Sequence, residues 1–187
     1  MPRTTRLLLG LASALLASVA VAAETPVDGV WQTHEYRFVS MGFTSHYSCD
    51  GLATALKALL KASGARPGYS VTESCAEPAG RPDAIARATM HFQTLRSNAA
   101  SAAGASAAAT PEAGQGVWRE VVLKGHQPRE LDWGDCELVE QFAREVLPMF
   151  ETKDIGNHMS CVPHEANPFG INLSFTVLAA LPPPPKH

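Results

Sequence analysis

Twice in this chain a Gly-Val-Trp is followed, eighteen residues after the tryptophan, by a cysteine. Gly29-Val30-Trp31 leads to Cys49, and Gly116-Val117-Trp118 leads to Cys136, so a shift of 87 residues lays one on the other. Behind each cysteine the apolar residues step as on one face of an amphipathic helix. They are Leu52, Leu56, Leu59 and Leu60 in the first copy and Val139, Ala143, Val146 and Leu147 in the second. A chain that repeats such a spacing is expected to build one supersecondary unit twice.

Start and stop signals bound both helices. Ser48 and Asp135 stand where an N-cap side chain accepts from orphan backbone N–H groups. Gly64 suits a left-handed C-terminal residue, and Pro148 limits the second helix. A strand candidate ending at a cysteine follows each helix, YSVTESC up to Cys75 and DIGNHMSC up to Cys161. Turn-rich EPAGRPD and PHEANPFG come next. In the last strands Ala86, Ala88, Met90 and Phe92 alternate with Arg87, Thr89, His91 and Gln93, while Leu173, Phe175 and Val177 alternate with Asn172, Ser174 and Thr176. That alternation marks half-buried strands. A shift of 86 would lay Met90 on Thr176 and turn every side chain over, whereas 87 lays it on Val177, so 87 is the expected register. The first strands span Thr33 to Phe43, with a parity change after Phe38 that suggests a bulge, and Val117 to Lys124.

The fold expected is therefore α+β: two tandem β-α-β-β repeats, residues 29–95 and 116–181, forming a disulfide-stapled two-layer sandwich with helices on one face of a mixed sheet. The repeats could share one sheet through pseudo-twofold pairing or stand as two modules. Residues 96–115, rich in Ala, Ser and Gly, read as a linker, and 182–187 as a Pro-rich tail.

Residues 1–23 carry Arg3 and Arg6, an apolar run and a small-residue end at Val21-Ala22-Ala23, the pattern of a signal peptide, with the mature chain beginning at Glu24. The expected location is periplasmic or extracellular, without a membrane span after cleavage. Without the leader, 13 basic residues face 18 acidic ones. This mild acidity, lacking a basic cluster, argues against nucleic acid and anionic membrane surfaces as partners.

Four cysteines in an exported chain imply two disulfides. In a strand-helix-strand crossover the helix start and the end of the next strand meet at one edge, which predicts Cys49 with Cys75 and Cys136 with Cys161. The chain contains no CxxC that would favour a redox role.

Among candidate sites, His158, Met159 and His164 beside Cys161 are residue types that ligate copper or zinc. No GxSxG, HExxH or Gly-rich phosphate loop occurs, and His34, His46, His91 and His126 are scattered. The outward alternates of the last strands, Arg87, Thr89, His91, Gln93, Asn172, Ser174 and Thr176, form the candidate binding face. Trp31 and Trp118 are expected as core anchors. The leading functional expectation is a non-catalytic binding or interaction protein that needs no cofactor and recognises an unknown ligand or envelope protein. The alternative is a periplasmic copper-handling protein, and a third is a hydrolase whose site leaves no local signature.

Overall fold

A computed structural model describes residues 25–74, 85–101 and 112–181. The predicted leader, the middle of the linker, the EPAGRPD turn, Cys75 and the Pro-rich tail lie outside the described residues. The elements are β1 (Val27–Val39), α1 (Cys49–Ala62), β2 (Ser70–Glu73), β3 (Arg87–Ser97), a one-turn α2 (Asn98–Ser101), β4 (Ala113–Lys124), α3 (Cys136–Glu145), β5 (Thr152–Asn157) and β6 (Asn172–Ala180). The class is α+β.

Six strands form one sheet in the order β2-β3-β1-β4-β6-β5. Every hydrogen-bonded pair is antiparallel, which corrects the expected mixed sheet. The crossover does make β1 and β2 run the same way, and likewise β4 and β5. However, β3 returns between β1 and β2, and β6 between β4 and β5, so the parallel strands are never neighbours.

The halves join through β1 and β4, from Val27 opposite Gly116 to Val30 opposite Ala113. Asp28 faces Gln115, the residue 87 positions on, and Gln115 Nε2 donates to Asp28 Oδ1 at 2.8 Å. The chain thus makes a single sheet and not two modules. The β1 ladder to β3 is continuous from Gly29 to Val39, without the bulge expected after Phe38. The irregularity lies instead in β5, where the register shifts between Lys153 and Gly156 and Asp154 takes φ 53°.

Strand partners also correct the register of the last strands. Phe92 lies opposite His34, and Phe175 opposite Val121, the residue 87 beyond His34, yet the two phenylalanines are 83 apart. Alternation fixes a register only modulo two, because 83 and 87 put the same side chains on the same face. The faces came out as predicted while the pairing slid by four residues.

α1 begins at Ser48, whose Oγ accepts from Gly51 N at 3.1 Å. It ends in a Schellman motif, with Ala65 N donating to Leu60 O and Gly64 N to Lys61 O, and Gly64 at φ +83°. α3 starts differently. A 3-10 turn, Trp133–Asp135, precedes it, Asp132 caps that turn, and Asp135 makes no side-chain cap bond to the helix. A second 3-10 turn at Leu147–Met149, with Pro148 inside, follows α3. Leu52, Leu56, Leu59 and Leu60 of α1 and Leu138, Val139 and Phe142 of α3 share one core with Phe38, Met90, Phe92, Leu173, Phe175 and Val177 of the sheet. No helix among the described residues is long and apolar enough to cross a membrane.

Candidate binding face

Directly opposed residues of antiparallel strands project to the same side of a sheet. Thr89 faces Arg37 and Thr72, His91 faces Glu35 and Ser70, and Gln93 faces Thr33. In the other half Asn172 faces Lys124, Ser174 faces Val122, and Thr176 faces Glu120 and Lys153. With Arg87 opposite Val39, all seven residues named from the sequence fall on the side away from the buried Ala88, Met90, Phe92, Leu173, Phe175 and Val177. Several are already engaged. Gln93 Nε2 donates to Thr33 Oγ1 at 3.1 Å, and His91 Nδ1 stands 3.9 Å from Glu35 Oε2.

The centre of this face was not anticipated. Trp31 lies opposite Leu95, and Trp118 opposite Leu178. Both leucines are 1% exposed yet belong to the outward parity. The tryptophans therefore anchor a small apolar centre on the open face and not the helix-side core. A cation covers each: Arg66 Cζ lies 4.9 Å from the Trp31 ring centroid, and Lys153 Nζ 4.2 Å from that of Trp118. Glycines make room beneath. A Cβ on Gly116 would lie 2.5 Å from Ala179 O and collide with Leu95 Cδ2, and one on Gly29 would collide with Arg96 O. The signal that could have revealed this centre is an apolar residue at the outward parity of each last strand, Leu95 after Gln93 and Leu178 after Thr176, each opposite a tryptophan.

At the join, an open groove of about 740 Å³ is lined by Asp28, Trp31, Arg66, Asn98, Gln115 and Leu181, among others. Arg66 makes a bidentate pair with Glu112 at 2.6 Å for both bonds and donates to Gln93 Oε1 at 3.0 Å. That hydrogen bonding from Arg66 holds the Glu112 carboxyl below its ordinary value.

At the end where the helices start, the halves are clasped. The Glu137 carboxylate accepts from the backbone N–H groups of Phe43 at 2.6 Å and Thr44 at 2.8 Å, and Gln141 Nε2 donates to Val39 O at 2.8 Å. Tyr47 donates its hydroxyl to buried Asp135 at 2.5 Å. Burial, reinforced by the neighbouring carboxylate, pushes the Tyr47 phenol far up, and burial also raises Asp135. Nearby, Cys136 and Cys161 form the predicted disulfide, S–S 2.06 Å. Cys161 lies beyond β5 and not at a strand end as expected. Cys49 is disulfide-bonded, and its predicted partner Cys75 lies outside the described residues.

The metal candidates have separate surroundings. Exposed His158 donates its backbone N–H to Asn172 O, Met159 packs against the core, and the His164 ring lies 5.7 Å from Phe43. Among the described residues no group of three His, Cys, Asp or Glu side chains is placed to share a metal ion. Of the scattered histidines, His34 contacts Thr94 Oγ1 at 2.8 Å and stacks on Phe92, and burial, with Arg96 nearby, lowers its pKa. His126 bonds Leu131 O at 2.8 Å. Compared with known proteins, the chain matches no family model, no curated protein and no solved structure at a level that marks relatedness.

Proposed function

We propose that this is an exported, non-catalytic binding protein that presents the open face of its sheet to a ligand or envelope partner. The observation that carries the reading is that outward alternates of β3 and β6, from separate halves, extend one polar surface around a centre of two buried leucines and two half-buried tryptophans. Most of these side chains keep hydrogen-bonding capacity toward solvent, and a rigid sheet presents polar groups with little ordering on binding. We further infer that the halves are copies of one β-α-β-β unit. The self-opposed Asp28 and Gln115, the matched Trp-Leu pairs and the doubled cysteine spacing support that origin. Export rests on the leader sequence and suits a disulfide-bonded chain.

Site-specific photocrosslinking in the producing cell tests the binding reading. A crosslinker at Thr89, Gln93, Ser174 or Thr176 is expected to yield discrete adducts that are missing when it sits at Glu140 or Arg129. Equal labelling from both sets, or none from the sheet face, would remove the sheet as the binding surface. Sequencing the exported product from its N-terminus should begin at Glu24.

A further inference from the structure

One stripe of α1, at positions i, i+3, i+4 and i+7, carries exposed Thr54, Lys57 and Lys61 with buried Ala58 beneath them. Facing it, Arg119 of β4 reaches across the helix end and donates from Nη2 to Ala62 O at 3.0 Å. Between them lies a groove of about 410 Å³, whose walls include Ala58, Tyr69 and Pro128. That volume falls in the roughly 300–1,000 Å³ range of small-molecule sites.

Its charge is unusual for a chain with net charge -3. Lys57, Lys61 and Arg119 all line it, and none of them enters an ion pair among the described residues. The one acid in the lining, Glu130, is engaged by Arg129 at 3.6 Å. Helix electrostatics explains Lys61 in the last turn of α1, where a cation meets the negative end of the dipole. It does not explain Lys57, which stands mid-helix and repels Lys61 one turn on. Nor does sheet packing explain Arg119. It opposes buried Val177 and precedes inward-facing Val121 and Leu123, so it holds a parity at which its neighbours are apolar. Three cations without an ion-pair partner, two of them at the carbonyl end of α1, line one groove with an alanine, a tyrosine and a proline, and together they form a recognition element for negative charge on an apolar body.

We propose that this groove binds a small amphipathic anion, its acid group held by Lys57, Lys61 and Arg119 and its apolar part lying against Ala58, Tyr69 and Pro128. The site is on the helix side of the sheet and does not depend on the open-face reading.

Two related fluorescent probes separate charge from greasiness: 8-anilinonaphthalene-1-sulfonate, an anion, and N-phenyl-1-naphthylamine, its neutral counterpart. The purified protein is expected to bind one sulfonate probe per chain, to release it to octanoate, and to bind the neutral probe at least tenfold more weakly. Lys57→Glu with Lys61→Glu, both exposed and helix-compatible, should weaken the sulfonate at least tenfold while far-UV circular dichroism stays unchanged. Should that variant lose helix, Lys57→Gln with Lys61→Gln replaces it, with at least a fivefold loss expected. Unchanged affinity in a folded variant, equal affinity for the neutral probe, or no saturable sulfonate binding at millimolar concentration would overturn the proposal.

Discussion

Gly116 shows how one missing side chain shapes the centre of the open face. Because a Cβ there meets the Ala179 carbonyl at 2.5 Å as well as Leu95, Gly116→Ala must move backbone and not merely a side-chain tip. A loss of about 1–3 kcal/mol is expected in urea unfolding. Gly68→Ala, whose Cβ would meet nothing within 4 Å, is strained instead by its φ of +105° and should also lose about 1–3 kcal/mol, without any steric clash. His34 gives a pH signature. Its folded pKa is depressed by burial and then by Arg96, with Thr94 and Phe92 as its other neighbours. Its contribution to stability is therefore complete above the unfolded value of about 6.5 and drains as pH falls from there toward the folded pKa. Unfolding free energy should rise between pH 5 and 7, and His34→Gln should flatten that rise. The ring is only half-buried, so the slope should stay well under the roughly 1.4 kcal/mol per pH unit of one fully released proton. Residues whose role is set by their own chain neighbours, such as Ser48 and Gly64, were legible in the sequence. Arg66 and Lys153 were not, because their rings lie 35 residues away in either case and nothing local couples cation to tryptophan.

At the scale of elements, the helices were legible because their apolar steps and stop residues agree with one another, although the cap expected at Asp135 is supplied by Asp132 to the turn before α3. The strands were legible in face but not in partner. A period of two tells Met90 from Thr89, but cannot tell a pairing offset of 83 from one of 87, since only loop lengths and the packed helices decide it. The inward position of Arg119 was likewise hidden, because a charge in a strand reads as outward. Ser48→Ala removes the acceptor for Gly51 N and should lower stability by about 0.5–2 kcal/mol, seen in thermal or urea unfolding. Cys136→Ser with Cys161→Ser opens a loop of separation 25 and should cost about 3 kcal/mol by the chain-entropy argument, measured against the oxidised protein. Because Cys136 is 3% exposed inside the core, part of that loss will come from a buried hydroxyl left without its former packing.

Across the whole molecule, a shared sheet, a shared core and the clasp from Glu137, Gln141 and Asp135 to the segment before α1 tie the halves into one body. Tryptophan fluorescence, with Trp31 and Trp118 in separate halves, and far-UV circular dichroism should therefore trace one coincident denaturant transition. Two resolved transitions would mean that the halves unfold independently. Glu137→Ala frees the Phe43 and Thr44 amides and should lower the common midpoint without splitting it, detected in the same titration. The outermost strands carry a further consequence. β2 offers only four residues, and β5 is broken by the register shift around Asp154. A fibril grows by laying chain after chain along an open, regular border, and among the described residues neither border strand of this sheet supplies one. Resistance to polymerisation is here written into the two border strands, one too short and the other too irregular to template a further chain.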